Sequence, residues 1–285
     1  MAGAAAGQPG TTLEALLRAS GLPWIEARLL AERALQCSPV QVAAHLREPL
    51  EIGAQVAFDA LARRRRAGEP VAYILGEREF FGRTFHVTPD VLIPRPETEL
   101  LCEALLVRIA TASPPEAASI LDLGTGSGAI ALTLACERPS WRVTAIDASP
   151  AALAVARHNA RRLCPQAALS FGVSDWFDAI GSARFDAIVS NPPYVAEQDA
   201  HLTQGDLRFE PPGALAAGPK GLDCLLAIAE RAPAYLHRGG WLLLEHGFEQ
   251  AAPVREALRA HGFSEVTTLT DLAGQDRVSA GRWLA

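Results

Sequence analysis

Ser119-Ile120-Leu121-Asp122-Leu123-Gly124-Thr125-Gly126-Ser127-Gly128 joins a short apolar run to three alternate glycines, and a helical pattern follows from Ala129 to Arg138. So short an apolar run reads as a buried strand, and a glycine-rich turn from strand into helix lets a ligand approach the backbone. The spacing is G-x-G-x-G. It is not the dinucleotide fingerprint G-x-G-x-x-G, and the Lys-Ser/Thr pair of a phosphate loop is missing, so nucleotide phosphates are not the expected ligand. The competing reading is a tight turn with incidental glycines. Further apolar runs, Val143-Thr144-Ala145-Ile146, Asp186-Ala187-Ile188-Val189 and Trp241-Leu242-Leu243-Leu244, alternate with helical segments. That alternation predicts an α/β fold, a parallel sheet covered on both faces. Phe263 to Leu269 and Arg277 to Leu284 read as two strands with no helix between them, so at least one is expected to be antiparallel.

The second strand ends in Asp147, roughly twenty residues beyond the loop, where an acid can accept hydrogen bonds from both ribose hydroxyls. Loop and acid together describe an adenosine pocket. Alone, Asp147 reads equally as a solvated strand end. Ser149-Pro150 caps the helix that follows and needs no functional explanation.

Ser190-Asn191-Pro192-Pro193-Tyr194 comes directly after the strand expected to be fourth in the sheet, at the carboxyl edge where open α/β sheets bind ligands. The two prolines fix their own φ, push Asn191 into an extended conformation and remove two N–H groups, leaving a rigid, acceptor-rich loop. An amide or aromatic amine nitrogen is a poor nucleophile because its lone pair is delocalised. If the Asn191 side-chain oxygen and the Pro192 carbonyl each accept one N–H of a target NH₂, they orient it and stabilise the positive charge that develops as it attacks. Tyr194 offers a flat face for a planar group. A sulfonium methyl, as in S-adenosylmethionine, already carries a good leaving group, so neither a metal nor a strong general acid is required. The structural alternative is a Pro-Pro turn with a buried Tyr.

Upstream, Thr11-x-x-Glu14 reads as a capping box ahead of Leu13, Leu16 and Leu17, while Pro23 and Pro39, the latter after Ser38, sit at first-turn positions. Residues 1–70 are therefore expected to form a small helical domain, with Met1 to Gly10 a frayed tail that lacks the features of a secretory signal. Glu79-Phe80-Phe81 and Thr84-Phe85-His86-Val87, with Gly82-Arg83 as the turn, predict a β-hairpin linker within residues 71–90. Pro89, Pro94 and Pro96 impose an extended passage before a helical pattern resumes from Glu97 to Ala112, and the catalytic domain is placed at 91–285.

The chain has 285 residues, 49% of them hydrophobic, and a net charge of -6. No apolar run is long enough to span a bilayer, and the acidic balance counts against a nucleic-acid platform, so neither a membrane nor stable nucleic-acid binding is expected. Arg63-Arg64-Arg65-Arg66 reads as a solvated helix end, with docking of an acidic partner as the alternative. Cys37, Cys102, Cys136, Cys164 and Cys224 are scattered, which argues against a disulfide framework and for a reducing cytoplasm. Glu245-His246 lacks the second histidine of a zinc motif, and no metal is expected.

The motifs taken together resemble the PrmC/HemK family, protein-(glutamine-N5) methyltransferases that act on the Gly-Gly-Gln motif of class I peptide chain release factors. The resemblance runs through Glu79-Phe80-Phe81-Gly82, Leu92-Ile93-Pro94-Arg95-Pro96-Glu97-Thr98-Glu99, the glycine loop, Ser174-Asp175-Trp176-Phe177, Asn191 to Tyr194, Phe209-Glu210-Pro211, Leu244-Glu245-His246-Gly247 and Asp271 to Arg277. Pro94 to Glu99 is its distinguishing string, since Asn-Pro-Pro-Tyr is shared with adenine-N6 DNA methyltransferases. The resemblance implies a seven-stranded, Rossmann-like class I S-adenosylmethionine methyltransferase sheet, with an N-terminal helical domain that helps hold the release factor. Gly124, Thr125, Gly126, Ser127 and Gly128 would then wrap the methionine part of the cofactor, Asp147 its ribose and Trp176 its adenine, with Asn191 alongside. Without the family, Trp176 reads as a core aromatic. Asn191, Pro192 and Tyr194 would be catalytic, and Asn191 to Tyr194, Pro193 included, would hold the glutamine amide. Pro94, Arg95 and Glu97 receive no individual roles. A cytoplasmic monomer is expected. The alternatives are an adenine-N6 or other amine methyltransferase, and a silent module that binds without transfer.

Overall fold

The computed structural model describes residues 10–111 and 117–285. The expected tail up to Pro9, and the expected end of a helix at Ala112, lie outside the described residues. By internal contacts the chain divides into two units, Met1–Gly76 and Glu77–Ala285.

The first unit is helical: α1 (Leu13–Ala19), α2 (Trp24–Leu35), α3 (Pro39–Ala44), α4 (Ile52–Arg66) and α5 (Val71–Leu75). Leu13, Leu17, Leu30 and Phe58 are fully buried in its own core. The cap of α1 is Thr12 rather than Thr11, its hydroxyl accepting from the Ala15 N–H at 3.3 Å. Pro23 stands one position ahead of α2, whereas Ser38 and Gln41 close a full capping box around Pro39. The four arginines do end α4, but Arg64 is paired with Glu69, Arg65 with Glu26, and Arg66 donates to the Ser20 carbonyl. Most of that charge is therefore tied down within the unit and not simply solvated.

Residues 71–90 are shared between the units. Val71–Leu75 is the last helix of the first, stopped by Gly76 at φ 75°. The hairpin, β1 (Glu77–Phe80) and β2 (Arg83–His86), belongs to the second and places Phe80 and Phe85 edge to face in its core, ring centroids 6.0 Å apart. Its turn is Phe81-Gly82, one residue earlier than expected, and both residues have positive φ, 51° and 69°. The turn is held by carboxylates: Glu99 accepts from the Phe81 N–H and Glu79 from the Gly82 N–H, each at 2.8 Å. Pro96–Thr98 forms a 3₁₀ turn, so α6 (Glu99–Thr111) starts two residues later than the helical pattern suggested.

The rest of the second unit is β3 (Ser119–Leu123), α7 (Ala129–Glu137), β4 (Arg142–Asp147), α8 (Pro150–Leu163), β5 (Leu169–Val173), β6 (Phe185–Ser190), α9 (Asp223–Arg231), β7 (Leu236–Glu245), α10 (Ala251–Ala260), β8 (Phe263–Thr270) and β9 (Asp276–Trp283). Seven strands make one sheet in the order β5-β4-β3-β6-β7-β9-β8, with β9 antiparallel to both of its neighbours. β5 is the strand that apolar runs do not reveal. It is an edge strand, only partly buried and interrupted by Gly172. Successive residues of the central strands face opposite ways, as a two-sided sheet demands. Ala187 and Val189 enter the core with α6, α7 and α8, while Ile188 enters the core with α9 and α10.

α7 and α8 lie side by side, and their C-terminal ends bring Cys136 and Cys164 into a disulfide with Cα atoms 5.9 Å apart. The spacing of the cysteines gave no sign of this pair. The strand order reverses between β3 and β6, so the crevice at their carboxyl ends is where a ligand is expected.

Asn159 of α8 joins three segments around that crevice. Its Oδ1 accepts from the His86 N–H at 2.8 Å, and its Nδ2 donates to the His86 and Ser127 carbonyls, both at 2.9 Å. The side chain is fully buried. Asn159→Ala strands these backbone groups, and a loss of about 3 kcal/mol is expected from the urea unfolding midpoint of the full chain.

Candidate active site

The glycine loop leaves β3 with Gly124, Gly126 and Gly128 at φ 71°, 55° and 84°, a region that side chains avoid. Beneath it Asp122 is fully buried, its Oδ2 accepting from the Thr125 hydroxyl at 2.6 Å and the Ala131 N–H at 3.2 Å, while Oδ1 has no partner. Burial pushes this carboxyl up to about 7 against the pull of those two hydrogen bonds, and Asp147 adds to the rise. Asp147, at the end of β4, faces the same loop. Its Oδ2 accepts from the Gly126 N–H at 2.8 Å and its Oδ1 from the Ser149 N–H at 2.9 Å, which fixes the carboxylate and leaves one lone pair free on each oxygen.

Trp176 follows β5 with φ at 44°, a conformation costing about 1–3 kcal/mol for a residue that carries a Cβ. Ser174 restrains it, donating its hydroxyl to the Trp176 carbonyl at 2.8 Å and accepting from the Ala179 N–H at 3.0 Å. The indole ring thereby lies 3.6 Å from where a Cβ on Gly124 would stand. The half-buried ring also packs against the core that holds Phe177 and Ile188.

Asn191 to Tyr194 leave the end of β6. Asn191 donates through Nδ2 to the Thr98 hydroxyl oxygen at 3.1 Å, and the Tyr194 hydroxyl lies 3.3 Å from Glu245 Oε1. Burial, reinforced by Glu245, raises the Tyr194 pKa well above the ordinary phenol value, so the ring stays a neutral donor. Gln250 grips the loop from behind. Its Nε2 donates to the Tyr194 carbonyl at 2.9 Å and to the Gly221 carbonyl at 3.1 Å, while its Oε1 accepts from the Gly247 N–H at 2.8 Å. Gly221 permits this, since a Cβ there would meet the Tyr194 carbonyl oxygen at 2.1 Å.

The Pro94 to Glu99 string acts largely through one ion pair. Arg95 bonds to Glu210, whose wholly buried carboxylate also accepts from the Ile93 N–H at 3.0 Å. The string is thereby bound to the segment around Pro211, and Pro94, Arg95, Thr98, Pro211 and Ala214 form one side of a cavity of about 550 Å³. Gly124, Thr125, Gly126, Ser127, Asp147, Trp176, Asn191 and Pro193 line the same cavity. Gly128, Pro192 and Tyr194 are not on its wall. Gly128 starts α7, where a Cβ would meet Leu132 at 3.0 Å and Ala156 at 3.3 Å, so its site is a packing position between α7 and α8. Glu97 is exposed.

Residues 97–208 match the family description Methyltransferase small domain, and residues 11–76 match PrmC N-terminal domain. A release factor glutamine methyltransferase of Burkholderia pseudomallei is 50% identical over 279 residues, 96% of each chain. One of Neisseria gonorrhoeae is 50% identical over 275 residues, 96% of this chain and 98% of its own. The chain belongs to the release factor glutamine methyltransferase family. Among solved structures, the hMettl16 catalytic domain superposes with a TM-score of 0.56 at 16% identity over 80% of this chain and 83% of its own. The T. thermophilus 16S rRNA N2 G1207 methyltransferase gives 0.53 at 24% over 73% of this chain and 49% of its own. Both share the class I methyltransferase fold.

As in its family, S-adenosylmethionine is the methyl donor of this methyltransferase, and the cavity suits it. Three acids, Asp90, Asp147 and Asp175, line the cavity, and its arginine, Arg95, is already paired with Glu210, which favours a cationic ligand over a phosphate. Sequence reasoning assigned no role to Thr98, Glu210, Glu245 or Gln250. Glu245 had the same signal as Asp147, an acid ending an apolar strand, whereas Gln250 had none. Arg95→Met leaves the Glu210 carboxylate buried and unpaired. An at least about tenfold weaker affinity for S-adenosylmethionine is expected by calorimetry, and pairing the change with Glu210→Leu recovers part of it.

Proposed function

We propose that this chain transfers the methyl group of S-adenosylmethionine to the side-chain N5 of the glutamine in the Gly-Gly-Gln motif of class I peptide chain release factors. The near full-length identity to release factor glutamine methyltransferases carries this reading. In it, Gly124, Thr125, Gly126 and Ser127 hold the methionine part of the donor, Asp147 accepts from the ribose hydroxyls, and Trp176 packs against the adenine. The donor supplies a sulfonium-activated methyl with a neutral leaving group. What the protein adds is orientation and charge.

A glutamine amide reaches attack geometry only when its NH₂ is held and its developing positive charge is met by an acceptor. Asn191 Oδ1, on a side chain that lines the cavity, is that acceptor, and the two prolines keep it in place without competing N–H donors. Tyr194, off the cavity wall and tied to Glu245, anchors the loop and does not touch the amide itself. Residues 11–76 serve to dock the release factor. The net charge of -6 speaks against stable nucleic-acid binding.

Radiolabel from S-adenosylmethionine is expected in intact release factor and not in DNA or RNA offered in parallel, and it should vanish when the motif glutamine is changed to alanine. Label that persists in that variant, or that appears in nucleic acid instead, excludes the reading. Asn191→Ala is expected to lower kcat by about 10²–10³ while the donor Kd, by calorimetry, stays within about threefold.

A further inference from the structure

Between Tyr194 and Gly221 the chain makes a long excursion before it enters α9. Residues 195–220 carry three 3₁₀ turns, Ala200–Thr203, Leu207–Phe209 and Pro212–Ala214, and Pro211, Gly213, Ala214 and Ala216 line the cavity as its roof. A connection of this length is uncommon in a compact domain unless it has a function. Its two ends run side by side. The Val195 N–H donates to the Leu215 carbonyl at 2.9 Å, the Ala217 N–H to the Val195 carbonyl at 3.0 Å and the Glu197 N–H to the Gly218 carbonyl at 3.0 Å. Its middle is tied down separately, through Glu210 to Arg95 and to the Ile93 N–H.

One side chain holds both feet of this roof. Gln250, next to the start of α10, donates through Nε2 to the Tyr194 carbonyl at 2.9 Å, where the chain departs. The same Nε2 donates to the Lys220 and Gly221 carbonyls at 3.2 and 3.1 Å, where it returns, while Oε1 accepts from the Gly247 N–H at 2.8 Å. A carbonyl only accepts and a backbone N–H only donates, so the reverse orientation of this amide would satisfy none of them. Only Pro192 and Pro193 separate Tyr194 from Asn191, and their φ angles are fixed. A displacement of the Tyr194 carbonyl is therefore passed on to Asn191 and not absorbed between them.

We propose that Gln250 is a positioning residue for methyl transfer, an assignment that builds on the amide methylation proposed above. By clasping both feet of the roof, it sets the spacing between the Asn191 side chain and the roof wall, both of which line the cavity that receives the target amide. Gln250 is off the cavity wall and touches no reacting atom. The two ties of the roof divide the work. Glu210 fixes its middle against the 93–95 segment, whereas Gln250 fixes the end that adjoins Asn191. Loss of the clasp therefore spares donor binding and harms transfer, because a displacement of about 1 Å at the reacting groups costs about 10²-fold in rate.

Gln250→Met keeps most of the side-chain bulk and removes its hydrogen bonds. It is expected to lower kcat for release factor labelling by about tenfold or more, with the donor Kd, by calorimetry, within about threefold. Gln250→Glu keeps the length and the acceptor for Gly247 but sets a carboxylate against three carbonyl oxygens, and should lower kcat further. In protein free of both substrates, amide hydrogen exchange at Val195, Glu197 and Ala217 should be about tenfold or more faster in Gln250→Met, while Ile188 of β6 and Leu243 of β7 exchange as in the wild type. A kcat within about threefold of the wild type, a donor Kd weakened as much as kcat falls, or unchanged exchange at Val195 and Ala217 overturns the proposal. Exchange that quickens equally at Ile188 and Leu243 is a general loss of stability and overturns it too. If Gln250→Met does not fold, Gln250→Glu is read by the same measurements; if neither folds, Gln250 belongs to the fold and the proposal falls. Exchange is read without release factor, so a wild type that leaves release factor unlabelled removes the substrate assignment alone.

Discussion

The crevice of the second unit depends on one joint between neighbouring strands. β3 and β6 run parallel with Leu123 opposite Ser190, and the Ser190 hydroxyl donates to the Leu123 carbonyl at 2.7 Å. At the opposite end, Asp186 accepts from both the N–H and the hydroxyl of Ser119, each at 2.8 Å. Locked at both ends, the two strands cannot slip in register. A slip of one residue would turn every side chain to the other face and would separate the glycine loop from Asn191. The strands on either side, the helices and the segment around Pro211 are arranged about that fixed pair.

The same edge of the sheet carries buried acid. Asp122 and Glu245 both have folded pKa values raised to about 7 by burial, against an ordinary carboxyl near about 4. Their neutral forms suit the fold better than their ionised forms. The stability they permit is fully present below the ordinary carboxyl pKa and is lost as pH rises through about 7. A chain selected only to fold would place apolar groups there, as residues that oppose stability cluster where a site requires them.

How much of this the sequence disclosed follows from how local each cause is. The central strands were legible because burial on both faces makes continuous apolar runs, and the glycine loop because glycine takes its φ values at no steric cost. β5 escaped because an edge strand is only half covered, and the hairpin turn lies one residue earlier than expected because Phe81 takes a positive φ, with its N–H held by the distant Glu99. The pairing of Asn191 with Thr98, 93 residues apart, and of Arg95 with Glu210, 115 apart, arises from strand order alone. Composition hints at neither. Gln250 was invisible for the same reason: a glutamine becomes a clamp only when three carbonyls from the Tyr194 and Gly221 turns converge on it.

The division of the sheet at β3 and β6 also has a consequence for descent. Gly124, Asp147 and Trp176 follow β3, β4 and β5, one side of the joint, whereas Asn191, Glu245 and Gln250 follow β6 and β7 on the other. In the assignment proposed above, donor recognition and acceptor recognition occupy separate halves that meet through backbone hydrogen bonds. A lineage could exchange what it modifies by remodelling the second half and its roof while inheriting the first intact, and the fold would register the change only at the rim of the crevice.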